Sequence, residues 1–330
     1  MTAESTPDSE SPGTESSDTE SPGRHSRSRR AFMGLAAAGA GAAAVTTAIV
    51  VPPYLREPPT EPLPAAAPGS RFAGKVVLVT GGTSGIGEAA VRAFAAEGAS
   101  VVFCGRREQL GERIAESIGG AAHYVRTDIR VPAEVERLVA EVDRRFGRLD
   151  VALNNAGIRI EGAAEDLSVE QWDDVLDTNL RGIFLSVKYE VPLLERSGGG
   201  VILCTASKSL MASAPAYSAS KAGIEGLVGS MAQQYGPRGI RVNAIAPGTT
   251  NTALIRPAGL PDPMWAVFKD AWGPLNVSAL GRMAEPAEIA RAILALCGDD
   301  LGYMAGSTVL VGGGPFGGGK MQMPPGFPAR

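Results

Sequence analysis

The chain has 330 residues, 44% of them hydrophobic and 20% charged, which is enough to bury a sizeable core without disulfide staples. With 31 basic against 35 acidic residues the formal net charge is −4, which excludes the electrostatic footprint of a nucleic-acid binder. Cys104, Cys204 and Cys297 are dispersed in apolar contexts and only His25 and His123 accompany them, so no metal site is expected and the cysteines read as small buried hydrophobes.

Residues 1–30 are a polar segment of Ser, Thr, Glu and Pro that turns basic at RHSRSRR and is expected to be disordered. Residues 31–51 are apolar and rich in Ala and Gly, and 52–71 form a Pro-rich linker. A basic stretch ahead of an apolar one is the layout of an export signal. An apolar run of this length also suffices to span a bilayer as one helix, so a retained membrane anchor through 31–51 is the competing reading.

From Lys75 the pattern changes. The β-branched run 75–79 predicts a strand that stops at a Thr-Gly-Gly turn, and helical periodicity over 87–99 halts near Gly98. A buried strand is expected over 100–105, a helix over 107–120, a strand over 122–129 and a helix from Pro132 to Gly147. The alternation continues with a strand over 149–157, a long helix over 168–194, a strand over 199–207, a helix over 216–236, a strand over 240–248, a helix over 285–298 and a last strand over 306–313. Between the last two helices Trp265, Phe268 and Trp272 recur at helical spacing, either as a packed helix face or as a substrate lid. Continuously apolar strands alternating with helices predict an α/β fold, a doubly wound (Rossmann) parallel sheet with helices on both faces. It is expected as a single domain over 72–314, followed by a tail, 315–330, that carries no motif.

In TGGTSGIG (80–87), Gly81, Gly82, Gly85 and Gly87, with Thr83, Ser84 and Ile86 between them, join the first strand to the first helix. A phosphate-cradling loop belongs there, because glycine permits the tight turn and the close approach of a pyrophosphate to the helix N-terminus. NNAG (154–157), TNLRG with Asn179, YSASK with Tyr217 and Lys221, and APG ending at Gly248 follow in turn. In these motifs and their order the chain resembles the short-chain dehydrogenase/reductase family, in its classical branch, from about Phe72 to Gly314. In SRRAF (28–32) it also resembles twin-arginine signals, which implies export to the periplasm or cell envelope; without such a signal the protein would be cytoplasmic.

The first resemblance implies an NAD(P)-dependent oxidoreductase that interconverts a small-molecule secondary alcohol and a ketone by hydride transfer, as a homotetramer or homodimer. It implies cofactor contacts at Gly81, Thr83, Ser84, Gly85, Ile86 and Gly87, at Asp128 and Ile129, and at Asn155, Ala156 and Gly157. It extends them to Pro247, Gly248, Thr250 and Thr252, and to Tyr217 and Lys221. A carboxylate ending the second strand would accept bonds from the ribose hydroxyls and repel a 2′-phosphate. Here Gly105 stands in its place, followed by Arg106 and Arg107. The planar fork of Arg106 suits a phosphate, so NADP is preferred and NAD possible.

Tyr217 and Lys221 lie four apart on a predicted helix and so share a face. Ketone reduction needs a proton donor at the oxygen and alcohol oxidation a base; a nearby lysine cation makes a tyrosine a better base. The family pattern assigns Tyr217 the acid/base role, makes Lys221 its modulator and a ribose ligand, and makes Asn179 the holder of a water in the proton relay. The serine departs from that pattern: its usual place, thirteen residues before Tyr217, is Cys204, inside a strand. Aligning the strand from Gly200 puts the position at Ser207, with Ser209 and Thr205 as rivals. Ser207 would polarise the carbonyl as an oxyanion-type donor. Gly312 replaces an Asp of relatives, which would loosen the C-terminal turn or the subunit contact. The altered serine spacing and Gly312 support the alternative of an exported nucleotide-holding protein without turnover.

Overall fold

The computed structural model describes residues 69–208, 213–257, 259–314 and 322–324. The expected disordered segment 1–30, the signal or anchor segment 31–51, nearly all of the linker 52–71, the rival Ser209 and most of the tail 315–330 lie outside the described residues. Among the described residues no helix is long and apolar enough to cross a membrane.

Among the described residues seven strands form one parallel sheet: β1 (Val76–Thr80), β2 (Ser100–Gly105), β3 (Ala122–Arg126), β4 (Val151–Asn154), β5 (Gly200–Thr205), β6 (Ile240–Pro247) and β7 (Thr308–Val311). Their order is β3-β2-β1-β4-β5-β6-β7. The chain winds outward from β1 to β3 and then returns to start again at β4, so the crevice between the carboxyl ends of β1 and β4 is the switch point where such sheets bind ligands.

Alternation along the strands builds two cores. Val76 and Leu78 face one way, into a cluster with Leu138 and Val142 of α3 (Pro132–Phe146), Leu193 and Leu194 of α5 (Gly182–Arg196) and Ile224 of α6 (Pro215–Tyr235). Val77 and Val79 face the other way, against Val91 and Phe94 of α1 (Gly85–Ala96), Ile114 of α2 (Glu108–Ile118) and Ile293 of α8 (Pro286–Cys297). Phe94 and Phe103 are fully buried, and each side chain of this kind contributes about 1.5–3 kcal/mol.

Two departures from the sequence expectation bear on the site. The long helix expected over 168–194 is interrupted: α4 (Val169–Leu176), opened by a Ser168–Gln171 capping box, passes through a π turn at Asp177–Arg181 into α5. Strands also end earlier than their apolar runs. β4 stops at Asn154 because the amides of Asn155 and Ala156 donate to Thr80 Oγ1 at 3.1 and 3.2 Å rather than to a ladder. β5 stops at Thr205, and β3 stops at Arg126. Residues Asn155–Gly157, Ser207 and Asp128 are thereby freed from the sheet at its carboxyl edge, while Ile129 turns into the core.

The aromatic helix α7 (Asp262–Asn276) buries Trp265, Phe268 and Trp272 with Val277 and Met283, which favours the packed-face reading. Part of the tail docks there. Asn276 donates to the Gln322 carbonyl at 2.8 Å and accepts from its amide at 2.7 Å, which seats Met323 on the same cluster. The replaced Asp at Gly312 has a packing counterpart: a Cβ at Gly248 would lie 2.7 Å from Gly312 Cα, so β6 and β7 end with backbone against backbone.

Candidate active site

The glycine loop sits at the switch point. Gly81 and Gly85 adopt left-handed φ values of 69° and 57°, which favour glycine. A Cβ at Gly81 would come 2.7 Å from Ala156 Cα, and one at Gly87 would come 2.1 Å from the Gly81 carbonyl and 2.7 Å from Asn155 Nδ2. The loop carrying Thr83, Ser84 and Ile86 therefore packs directly on Asn155 and Ala156, while a Cβ at Gly157 would meet Asn179 Oδ1 at 3.2 Å and Lys221 Nζ at 3.5 Å. Thr252 joins them from beyond β6, its Cγ2 3.1 Å from where a Gly85 Cβ would be, and Thr250 is buried with Oγ1 donating to the Gly248 carbonyl at 3.0 Å, next to Pro247. Ser84 occupies the N-cap of α1 without a side-chain cap, so the first-turn amides remain available to an anion. The residues present thus fit a dinucleotide pyrophosphate.

The residues expected around the adenosine end also make contacts of their own. A Cβ at Gly105 would lie 2.8 Å from Thr83 Cγ2 and 3.0 Å from its Oγ1, so a carboxylate there would have to displace Thr83. Arg107, rather than Arg106, reaches over the glycine loop, donating to Thr83 Oγ1 at 3.0 Å and Ser84 Oγ at 2.6 Å. The Asp128 carboxylate is chelated by Arg130, whose hydrogen bonds hold it below the usual carboxylate range, with Arg106 adding a weaker pull. Ile129 is a core residue, packed on Gly182.

The expected catalytic group assembles where β4, β5 and α6 meet. Ser207 hydrogen-bonds Tyr217, whereas Cys204 is buried within β5 and Thr205 donates from Oγ1 to Asn155 Oδ1 at 3.3 Å. The ten-residue separation of Ser207 from Tyr217 is therefore met in space. Lys221, one turn beyond Tyr217 on α6, donates to the Thr205 carbonyl at 2.6 Å, with Nζ 5.7 Å from the Tyr217 ring centre. Asn179 lies in the π turn, fully buried. Its Oδ1 accepts from Ile158 N at 2.8 Å and its Nδ2 donates to Ile158 O at 2.9 Å and Ser220 Oγ at 3.0 Å. The carboxamide thus braces the loop after β4 against α6.

Burial raises the Tyr217 hydroxyl, opposed by the Ser207 hydrogen bond and then by the positive charge of Arg159. Burial lowers Lys221 to about 8. Burial also raises the Cys104 and Cys297 thiols to about 12, as suits inert core cysteines. On the α5 side of the sheet Glu190 is fully buried and pushed up to about 7 by desolvation, against one opposing bond from Asn154 Nδ2 at 2.9 Å. Glu190 Oε1, Asn154 Oδ1, Ser186 Oγ and Thr178 Oγ1 are buried without hydrogen-bond partners.

Sequence reasoning gave the phosphate role to Arg106 rather than its neighbour Arg107, and passed over Arg159 and Glu190. Glu190 had a signal, a lone carboxylate among the apolar positions of a helix; Arg159 had only its place two residues after a motif. Among the described residues no cluster of His, Cys, Asp and Glu could hold a metal ion.

Comparison with known proteins agrees with this geometry. A family profile described as Enoyl-(Acyl carrier protein) reductase matches residues 81–315. The chain is 37% identical over 249 residues to a 3-alpha-(or 20-beta)-hydroxysteroid dehydrogenase of Mycobacterium tuberculosis (strain ATCC 25618 / H37Rv), covering 74% of this chain and 90% of that protein. It is 34% identical over 251 residues to a cyclohexanol dehydrogenase of Acinetobacter sp. (strain SE19), covering 74% and 96%. It is also 34% identical over 248 residues to a meso-2,3-butanediol dehydrogenase of Serratia marcescens, covering 74% and 95%.

Proposed function

The chain belongs to the short-chain dehydrogenase/reductase family and is an NAD(P)-dependent oxidoreductase of secondary alcohols and ketones, and from that premise we propose which residues do the work and where. Tyr217 is the acid/base, Ser207 binds the substrate oxygen, Lys221 modulates Tyr217, and Asn179 braces the site. The observation that carries this reading is the Ser207–Tyr217 hydrogen bond with Lys221 one turn away.

When bound, the nicotinamide cofactor supplies the hydride acceptor or donor. Gly81–Gly87, Asn155–Gly157 and Thr250–Thr252 would hold it. Ser207 donates to the developing oxyanion, and Tyr217 returns a proton to it in reduction or removes one from the alcohol in oxidation. Gly105 and the cationic pair Arg106 and Arg107 favour NADP over NAD. NADP+- and NAD+-linked oxidation of cyclohexanol, meso-2,3-butanediol and a hydroxysteroid tests the reading. Turnover of at least one, faster with NADP+, is expected; nucleotide binding without turnover of any would instead support the nucleotide-holding alternative.

The domain is read as 72–314, tethered by 52–71 to an export signal, and SRRAF at 28–32 supports a periplasmic or cell-envelope location. Arg29→Lys with Arg30→Lys should then leave the protein in the cytoplasm on fractionation. Equal export of wild type and double variant would refute that address. Self-association is read onto the outer face of α5 and α6, where Phe184 is 53% exposed beside Leu180 and Leu227. Phe184→Glu should lower the mass seen by light scattering.

A further inference from the structure

The chain beyond β7 returns to the molecule at the far end of α7. Leu280 N donates to the Gly313 carbonyl at 2.9 Å, just past β7, and the Asn276 carboxamide exchanges two hydrogen bonds with the Gln322 backbone, at 2.8 and 2.7 Å. Pro324 is buried and Met323 half-buried. Met323 packs on the cluster of Trp265, Phe268, Trp272, Val277 and Met283, which shares no residue with either sheet core. So small a satellite core has few contributors, and each carries a large share of its packing. Methionine suits the seat, because its unbranched thioether fills an irregular gap, and Pro324 beside it brings no N–H to satisfy.

From this cluster a line of contacts leads to the segment read above as holding the nucleotide. Trp265 stacks on Phe268 with ring centres 5.4 Å apart, and its Nε1 donates to Asn251 Oδ1 at 2.9 Å. Asn251 stands between Thr250 and Thr252. Its Nδ2 donates to both Glu285 carboxylate oxygens, at 3.1 and 3.0 Å, and its backbone N to the Ala284 carbonyl at 2.8 Å. Thr252 Oγ1 donates to the Thr250 carbonyl at 3.3 Å, and Thr252 Cγ2 faces Gly85 of the glycine loop. The Trp265 bond is thus a link from α7 to the Thr250–Thr252 segment.

We propose that Met323 and Asn276 are positioning residues for the nicotinamide cofactor: docked on α7, the tail holds Trp265 against Asn251 and so fixes Thr250 and Thr252 where the nucleotide needs them. The proposal rests on the reading that Thr250–Thr252 hold the cofactor. Coupling of this kind is reciprocal, so whatever docking contributes to nucleotide affinity the nucleotide returns to docking. Releasing the tail would loosen α7 and that segment while both sheet cores stayed as they are.

Calorimetric titration with NADPH, or with NADH where that binds more tightly, reads the effect without any alcohol. Met323→Ser should weaken binding roughly fivefold, at the low end of coupling between sites, and Met323→Leu should restore it. Asn276→Ala should act in the same direction. Trp265→Phe keeps a ring in the cluster and loses the bond to Asn251. In that background Met323→Ser should cost less than about twofold more, because the link through which it acts is gone. In the wild type, bound nucleotide should slow hydrogen exchange at the Gln322 amide. Equal affinity of the wild type and Met323→Ser overturns the proposal, and so does a Met323→Ser loss that Trp265→Phe leaves undiminished. If Trp265→Phe does not fold, exchange at Gln322 that ignores the nucleotide overturns it. Thr252→Val strikes the segment itself and separates the two readings. If it weakens the nucleotide while Met323→Ser does not, the tail is misread and the cofactor contact stands; if neither does, both fall.

Discussion

The pocket around Lys221 and the pocket around Glu190 both bury an ionisable side chain beside the sheet, one at 4% exposure and the other at 0%. Desolvation acts on both and brings them towards neutrality from opposite sides, Lys221 to about 8 and Glu190 to about 7. What differs is the company. Lys221 has a carbonyl to donate to and a tyrosine next to it that opens, through Ser207, onto the crevice. Glu190 has one amide donor and a set of acceptors as unpartnered as itself. A proton on Glu190 turns one of its oxygens into a donor, and Asn154 Oδ1, on the carboxamide that already donates to Glu190, is an acceptor in want of one. A perturbed ionisation is therefore not by itself a mark of chemistry. In one pocket the proposed role is to tune a reaction, and in the other protonation bears on how the core is satisfied.

The largest effect that could break this contrast is Tyr217→Phe, which should lower kcat by roughly 10³-fold, within the range of general acid–base catalysis, while leaving NADPH binding and thermal stability intact. Stopped-flow rates beside a calorimetric melt check it; if kcat survives, the catalytic pocket has been misassigned. Ser207→Ala should cost on the order of 10²-fold in kcat. Cys204→Ala, within β5, should keep kcat and show its effect in the urea midpoint, so a reversal of that pair would return the substrate-binding role to the strand.

Glu190→Gln probes the sealed pocket. The folded-state value is raised above the unfolded one, so the protein takes up a proton on folding. The stabilising contribution is full below about pH 4.5 and is lost as pH rises through about 7. At about pH 8 the wild type should be less stable than Glu190→Gln by on the order of 3 kcal/mol, and near pH 4.5 the gap should close. Urea unfolding at three pH values reads this directly, and a gap that does not change with pH would mean that Glu190 is charged throughout. The smallest effect concerns exposed cations, where solvent screens what burial magnifies. Arg107→Ala and Arg106→Ala should each weaken NADPH relative to NADH by about 1–2 kcal/mol. The geometry over Thr83 and Ser84 favours the larger share for Arg107, and calorimetric titration of both nucleotides separates the two.

The alternating pattern made the sheet and its glycine loop legible, because a strand buried on both faces has to be apolar along its whole length and the turn after β1 tolerates only glycine at Gly81 and Gly87. Ser207 was singled out for a related reason: the strand, which ends at Thr205, had to stop before the chain could turn to the crevice, and this overrode a fixed count back from Tyr217. The π turn was not, since Asp177–Arg181 differs from an α-helix by one hydrogen-bond step that leaves no mark on hydrophobic periodicity. The relative reach of Arg106 and Arg107 depends on which way α2 begins, and the inward turn of Arg159 depends on Asn179 and Ser213, far away in sequence. Contacts of that kind are set by tertiary packing and have no local pattern.

The π turn also carries a consequence for length variation. Between α4 and α5 the helix holds one residue more than its own repeat requires, and Asn179 lies within that surplus. Deleting any single residue from 177 to 181 would let the backbone relax into plain α-helix. Because the π turn is what absorbs the surplus residue, α4 and α5 would keep nearly their present phase, and the change would fall on the side chains of the turn itself. Asn179 would lose its aim at Ile158, while every substitution-level feature of the sequence stayed in place. At this one point the gene should therefore tolerate changes of letter far better than changes of count, and a gap here in any comparison of relatives marks a protein whose site is built differently.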